Sequence, residues 1–155
     1  PPRVATCALK PERSAPEGVQ VVLDARVAGE HEVIVVNFAN GDMVGHTGVF
    51  EAAVAAVKTL DGLLEKIVAK VLAAGGTLLL TADHGNCDEM IDPGGRVLTN
   101  HSLNDVPMVL VAERFADRAD VLVDSPGGLR DIAPTLLDLL GLDQPPEMTG
   151  SSLIA

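Results

Sequence analysis

The 155-residue chain has almost no aromatic side chains: Phe38, Phe50 and Phe115 stand alone, without a single tyrosine or tryptophan. Stacking platforms for single-stranded nucleic acid are therefore missing. Basic charge is scarce as well. Eleven Lys and Arg face 22 Asp and Glu, a formal charge of −11, and such a balance repels nucleic-acid phosphates. No nucleic-acid partner is expected. No apolar run is long enough to span a bilayer, so no membrane partner is expected either. The two cysteines, Cys7 and Cys87, lie far apart, with no CxxC pair, and no secretory signal is expected. A disulfide framework is not expected, and a reducing cytoplasm is the expected compartment. Most of the negative charge reads as solvated surface, although bound divalent cations would offset part of it.

What is present alternates between strand-like runs and helical patterns, at a length suited to one domain with a sizeable core. Ser14-Ala-Pro-Glu17 reads as a helix start, with Ser14 as cap, Glu17 at the capping-box position and Pro16 tolerated in the first turn. This helix is predicted to reach Ala28 and stop at Gly29. Residues 32–37 form a continuous β-branched run, predicted as a strand buried on both faces. Residues 38–48 read as loop. Residues 49–74 are the longest helical pattern, with Val54, Val57, Leu60, Leu64, Ile67, Val68 and Val71 on the apolar side. Residues 77–82, 107–112 and 120–123 read as further strands. Between the first two of these, residues 83–106 form a long polar loop with turn chemistry at 92–95; loops of that length are usually functional or disordered. A final helix is predicted over 129–140, stopped by Gly141. The alternation predicts an α/β fold with a largely parallel sheet flanked by helices.

Three of the four histidines sit in short loops beside aspartate, glycine or asparagine. They are His46, four residues after Asp42; His84, directly after Asp83; and His101, in Thr-Asn-His-Ser (99–102). In α/β sheets, ligands bind beyond the carboxyl ends of strands, and Asp42, Asp83 and His84 all follow predicted strands. Five mixed oxygen and nitrogen donors suit divalent transition metals and phosphate chemistry. On a helix, Asp42 and His46 would share one face, but Gly41 and Gly45 argue against a regular helix there. Each signal is weak alone: Asp42 reads equally as a loop cap with His46 as surface, Asp83-His84-Gly85 is a weak signal in isolation, and a lone loop histidine such as His101 is usually solvent-exposed. The coincidence of all three loops favours the metal. His31, between Glu30 and Glu32, reads as surface.

The blocks around these residues carry a specific resemblance. Asn37-Phe-Ala-Asn-Gly-Asp-Met-Val-Gly-His-Thr-Gly48 resembles the signature of the cofactor-independent phosphoglycerate mutases. Thr81-Ala-Asp-His-Gly-Asn86 and Thr99-Asn-His-Ser-Leu-Asn-Asp-Val-Pro107 resemble the next two blocks of that family in order and spacing. Asp131-Ile-Ala-Pro-Thr-Leu-Leu137 with Pro146-Glu-Met-Thr-Gly150 resembles its C-terminal end, and Val4-Ala-Thr6 with Lys10-Pro-Glu12 an upstream block. The resemblance implies an alkaline-phosphatase-like metalloenzyme that interconverts 3-phosphoglycerate and 2-phosphoglycerate in glycolysis and gluconeogenesis through a phosphoserine. It implies two divalent metal ions, manganese by the family's habit with zinc as the alternative. Asp42, His46 and His101 would hold the first, and Asp83 with His84 part of the second. It further implies a phosphoglycerate partner and a monomeric complete enzyme. Asn86 and Asn104 are candidates for supporting the ligands, with ordinary turn residues as the competing reading.

The family's members are longer, and the resemblance assigns residues 1–155 to the C-terminal part of the metal-binding phosphatase-like domain. The N-terminal segment, with the serine nucleophile, and the inserted substrate domain are expected to be absent. No catalytic nucleophile is therefore assigned among Ser14, Ser102, Ser125, Ser151 and Ser152, and the isolated chain is expected to be inactive. Cys7-Ala8 stands where the family pattern has Tyr-Asp, and Arg13 where it has Met. The alternatives are another phosphatase or phosphopentomutase of the same superfamily, and a non-catalytic metal-binding fragment.

Overall fold

Helices dominate the computed structural model, which describes residues 3–118, 120–123 and 126–155. Helix α1 spans Ala15–Ala28 and ends on Gly29, whose φ of 67° is the left-handed conformation that glycine adopts without a Cβ penalty. Its start differs from expectation: Ser14 makes no side-chain cap, and the first turn is closed by the backbone bond from Gly18 N–H to Ser14 C=O. Helix α2 spans Asn40–Gly45, α3 Phe50–Ala73 and α4 Ile132–Leu140, the last ending on Gly141 at φ 69°. No helix among the described residues is long and apolar enough to cross a membrane.

The regular sheet among the described residues has two strands, β1 (Leu78–Leu80) and β2 (Val109–Val111), hydrogen-bonded to each other. These occupy the middle of two predicted strands. The predicted strand at 32–37 is not formed. Its residues run without a ladder, and Val35 is 85% exposed rather than buried. A strand needs a neighbour for its backbone groups, and none among the described residues pairs with this run. The fourth predicted strand reduces to one antiparallel bridge between Leu122 and Ile154.

The chain divides into two compact units, Pro1–Val109 and Leu110–Ala155. In the first, α3 organises two small cores. Its N-terminal half buries Ala52, Ala53 and Ala56 against Val44 of α2 and Met90. Alanine side chains are short, so α2 can lie close to α3 and Val44 becomes fully buried. The C-terminal half buries Leu63 and Ile67 against Ala15 and Val19 of α1. Val54 and Val57, expected on the apolar side of α3, are exposed. The periodicity favoured large side chains, whereas the buried face at that end is built from alanines.

In the second unit the buried Asp131 ties the chain's last residues to α4. Its carboxylate accepts the N–H groups of Ser151 (2.9 Å) and Gly128 (2.8 Å). These bonds, Ser151 first, hold its carboxyl below the usual carboxylate range. Fully buried Thr135 extends the tie by accepting Leu153 N–H at 3.0 Å while donating to Asp131 C=O at 2.7 Å.

Candidate metal centre

Two glycines weigh against a helix at 40–45, at a cost of about 1 kcal/mol each relative to alanine. The helix forms because distant segments satisfy its polar groups. Buried Asn40 donates from Nδ2 to Pro11 C=O (2.8 Å) and Glu12 C=O (2.9 Å), fixing the start of α2. Cys87 Sγ donates to Gly41 C=O at 3.0 Å, and Thr47 Oγ1 closes the far end on Val44 C=O at 2.6 Å. Burial, then the neighbouring Asp88 and Asp42 carboxylates, push the Cys87 thiol up, so it stays a donor. Val44 faces the core, and the i, i+4 spacing puts Asp42 and His46 together on the opposite face. The helix corrects the loop expected at this position.

The long loop 83–106 brings the remaining candidates to the same place. Its middle folds back on itself: Ile91 and Val97 form an antiparallel bridge around a turn closed by Gly95 N–H to Asp92 C=O. Asp92 accepts Arg96 N–H and Nε at 2.9 and 2.7 Å. Val97 packs over Gly48, where a Cβ would meet Val97 Cγ1 at 2.6 Å. A second bridge joins Gly85 to Ser102, so His84 and His101 emerge side by side. Their rings stack with centroids 3.6 Å apart and planes 15° apart.

Asp42 Oδ1, His46 Nε2 and His101 Nε2 form a triangle with edges of 3.0, 3.0 and 3.1 Å. Three donors bound to one ion at about 2.1 Å with angles near 90° are spaced about 3 Å apart. The hydrogen bonding of His46 points the same way. Thr99 C=O can only accept, so His46 Nδ1 carries the proton that bonds it. The other ring nitrogen, Nε2, then faces a carboxylate oxygen and the His101 ring nitrogen. A fixed Nδ1–H is how ligating histidines are held. The donor set fits a divalent metal.

Asp83 and His84 lie beside this triangle. His84 Nε2 is 3.6 Å from Asp83 Oδ1 and 3.9 Å from Asp42 Oδ1. His84 Nδ1 donates weakly to Gly85 C=O at 3.3 Å, leaving Nε2 turned toward the two carboxylates. Asp83 is exposed. His31 is exposed and outside the cluster.

Buried Asn86 supports Asp42, donating from Nδ2 to its Oδ1 (3.2 Å) and backbone C=O (3.3 Å). Asn104 instead reaches Asp88. Asp88 Oδ2 accepts both Ser102 Oγ and Asn104 Nδ2 at 2.7 Å, and these bonds hold its carboxyl below the usual range. Sequence reasoning missed Asp88 and Thr99. A backbone carbonyl has no residue signal, and an acid beside Glu89 reads as surface charge. The two departures from the family pattern, Cys7 and Arg13, meet each other: Arg13 Nη1 donates to Cys7 Sγ at 2.8 Å. Among the serines, Ser125 lies outside the described residues, as do Pro1 and Pro2.

The metalloenzyme superfamily matches residues 1–144. The chain is 51% identical over 154 residues to the 2,3-bisphosphoglycerate-independent phosphoglycerate mutase of Syntrophotalea carbinolica, covering 99% of this chain and 29% of that protein. For the enzyme of the same name from Psychrobacter arcticus the identity is 49%, covering 99% and 27%. In structure it is similar to a Leishmania mexicana phosphoglycerate mutase described at low cobalt concentration, with a TM-score of 0.87, 33% identity, and coverage of 99% of this chain and 30% of that one. The chain thus spans under a third of the length of these relatives. With a match running through both units and across every candidate ligand, the chain belongs to the metalloenzyme superfamily.

Proposed function

We propose that the chain is the C-terminal part of the phosphatase-like domain of a 2,3-bisphosphoglycerate-independent phosphoglycerate mutase. In that reading the whole protein interconverts 3-phosphoglycerate and 2-phosphoglycerate through a phosphoserine, as a monomer of the cytoplasm. The observation that carries the metal role is the Asp42, His46 and His101 triangle, in a chain about half identical to enzymes of that name. Asp42, His46 and His101 hold one divalent ion; Asp83 and His84 supply part of a second site. The alkaline-phosphatase-like fold, with a largely parallel sheet, belongs to the same reading and is supported by the similarity in structure.

Manganese is the ion we favour over zinc. That preference rests on the family resemblance; one carboxylate and two imidazole donors 3.0–3.1 Å apart would hold either divalent ion. Divalent ions bound here supply charge that lowers the pKa of an attacking hydroxyl and stabilises the transferring phosphoryl group. The chain's own residues orient and hold. Thr99 C=O fixes the His46 tautomer, Asn86 fixes the Asp42 carboxylate, and the His84–His101 stack keeps the two candidate sites in register.

The test is an activity comparison. The full-length protein carrying these residues is expected to convert 3-phosphoglycerate to 2-phosphoglycerate at an enzymatic rate, on the order of 10 s⁻¹, and to lose that rate to a chelator. The 155-residue chain alone is expected to show none. Release of inorganic phosphate without isomerisation would instead favour a phosphatase of the same superfamily.

A further inference from the structure

Asp88 has no place among the candidate ligands, yet it grips the loop that carries one of them. Its Oδ2 accepts two hydrogen bonds of 2.7 Å, from Ser102 Oγ and Asn104 Nδ2. Ser102 follows His101 directly, so the clamp acts one residue from a candidate ligand. The contact is built closely on the other side too. At Gly85 a Cβ would meet Ser102 Oγ at 2.2 Å and Asp88 Oδ1 at 2.6 Å, so only glycine lets the segments approach this far. The backbone bond from Ser102 N–H to Gly85 C=O, 3.0 Å, completes the seam.

Beyond its stack on the His84 ring, little packing holds His101. It is exposed, Leu103 is fully exposed, and neither buries apolar surface that would fix the loop. Loops without such burial open easily. The position of His101 Nε2, 3.0 Å from Asp42 Oδ1 and 3.1 Å from His46 Nε2, therefore depends on polar contacts. Those of the Ser102 and Asn104 side chains converge on one oxygen.

We propose that Asp88 is a positioning residue for the metal centre, setting the place of His101 through Ser102 and Asn104 and tying it to the Asp83–His84 turn. The inference rests on the metal reading above. Its logic is geometric: one oxygen atom receives both side-chain bonds, so that oxygen's place is what sets the loop. An asparagine, whose Oδ1 can receive both donors, should serve in its stead.

The test uses the full chain and cobalt(II) alone as the probe, read by the visible d–d bands, with thermal melts alongside. Asp88→Ala is expected to lose about 10- to 100-fold in affinity for the His46-dependent cobalt equivalent, the usual cost of removing an outer support. Its visible bands are expected to shift while its melting temperature stays near wild type. Asp88→Asn is expected to restore both affinity and bands. Should Asp88→Ala fail to fold, the paired Ser102→Ala and Asn104→Ala variant removes the donors and leaves the carboxylate, with the same loss expected. Wild-type affinity and bands in Asp88→Ala or in the paired variant would overturn the inference alone, as would an Asp88→Asn variant no better than alanine. A wild-type chain with no His46-dependent cobalt would overturn the metal reading itself, and this inference with it.

Discussion

Replacing His46 with alanine is expected to remove one equivalent of bound divalent metal, lowering affinity at that site by more than about 100-fold. Loss of an outer support costs 10- to 100-fold, and His46 is itself one corner of the triangle. Its Nε2 is 3.0 Å from Asp42 Oδ1 and 3.1 Å from His101 Nε2. His84 Nε2, 3.9 Å from Asp42 Oδ1 and 3.6 Å from Asp83 Oδ1, is assigned to the second site, and Cys87 is spent on Gly41 C=O with its thiol pushed up by burial. Asp83→Ala should behave differently. Asp83 is exposed and lies outside the triangle, so its loss should weaken a second equivalent and leave the His46-dependent one in place. Titration of both variants beside wild type checks this, and unchanged stoichiometry and affinity in both would sink the ligand assignment.

Gly45→Ala is expected to destabilise the chain by about 1–3 kcal/mol and to loosen the metal centre as well. Two effects compete. Alanine in a helix is favoured over glycine by about 1 kcal/mol. Against it, the new Cβ would sit 2.0 Å from Asn86 Oδ1, 2.7 Å from its Cγ and 3.1 Å from Cys87 Sγ. Asn86 is buried and bonded to Asp42, so moving it away strands a buried amide, at about 1–3 kcal/mol. The clash wins. Gly41→Ala is the matched control. It lies in the same helix, where a Cβ would meet nothing within 4 Å, so it should be neutral or stabilising by up to about 1 kcal/mol. Urea denaturation of the two variants separates helix propensity from the contact with Asn86. Equal stabilities would contradict the account.

Elements set by local chemistry were legible from the residues. Gly29 and Gly141 end α1 and α4 in the left-handed conformation expected of them, and the turn at 92–95 closes as its residues suggested. What failed depended on distant partners. Residues 32–37 have strand-forming side chains, but a strand also needs a neighbour, and Val35 is left exposed. Helix α2 was hidden by its glycines because Asn40, Asn86 and Cys87, which make it possible, act through Pro11, Glu12, Asp42 and Gly41. On α3 the buried alanines were overlooked beside larger neighbours.

The candidate site was readable in part for a similar reason. Asp42, His46, Asp83, His84 and His101 announce metal chemistry by residue type, and their blocks carry the family resemblance. The parts that orient them do not announce themselves. Thr99 contributes a carbonyl, and Asp88 looks like any surface acid until Ser102 and Asn104 are seen to converge on it.

The most direct measurement is anomalous scattering at the manganese edge from crystals of the full-length protein grown with manganese. The account predicts a peak bonded to Asp42 Oδ1, His46 Nε2 and His101 Nε2 at about 2.0–2.3 Å from each. Manganese bound elsewhere, with no peak at those three atoms, would contradict it.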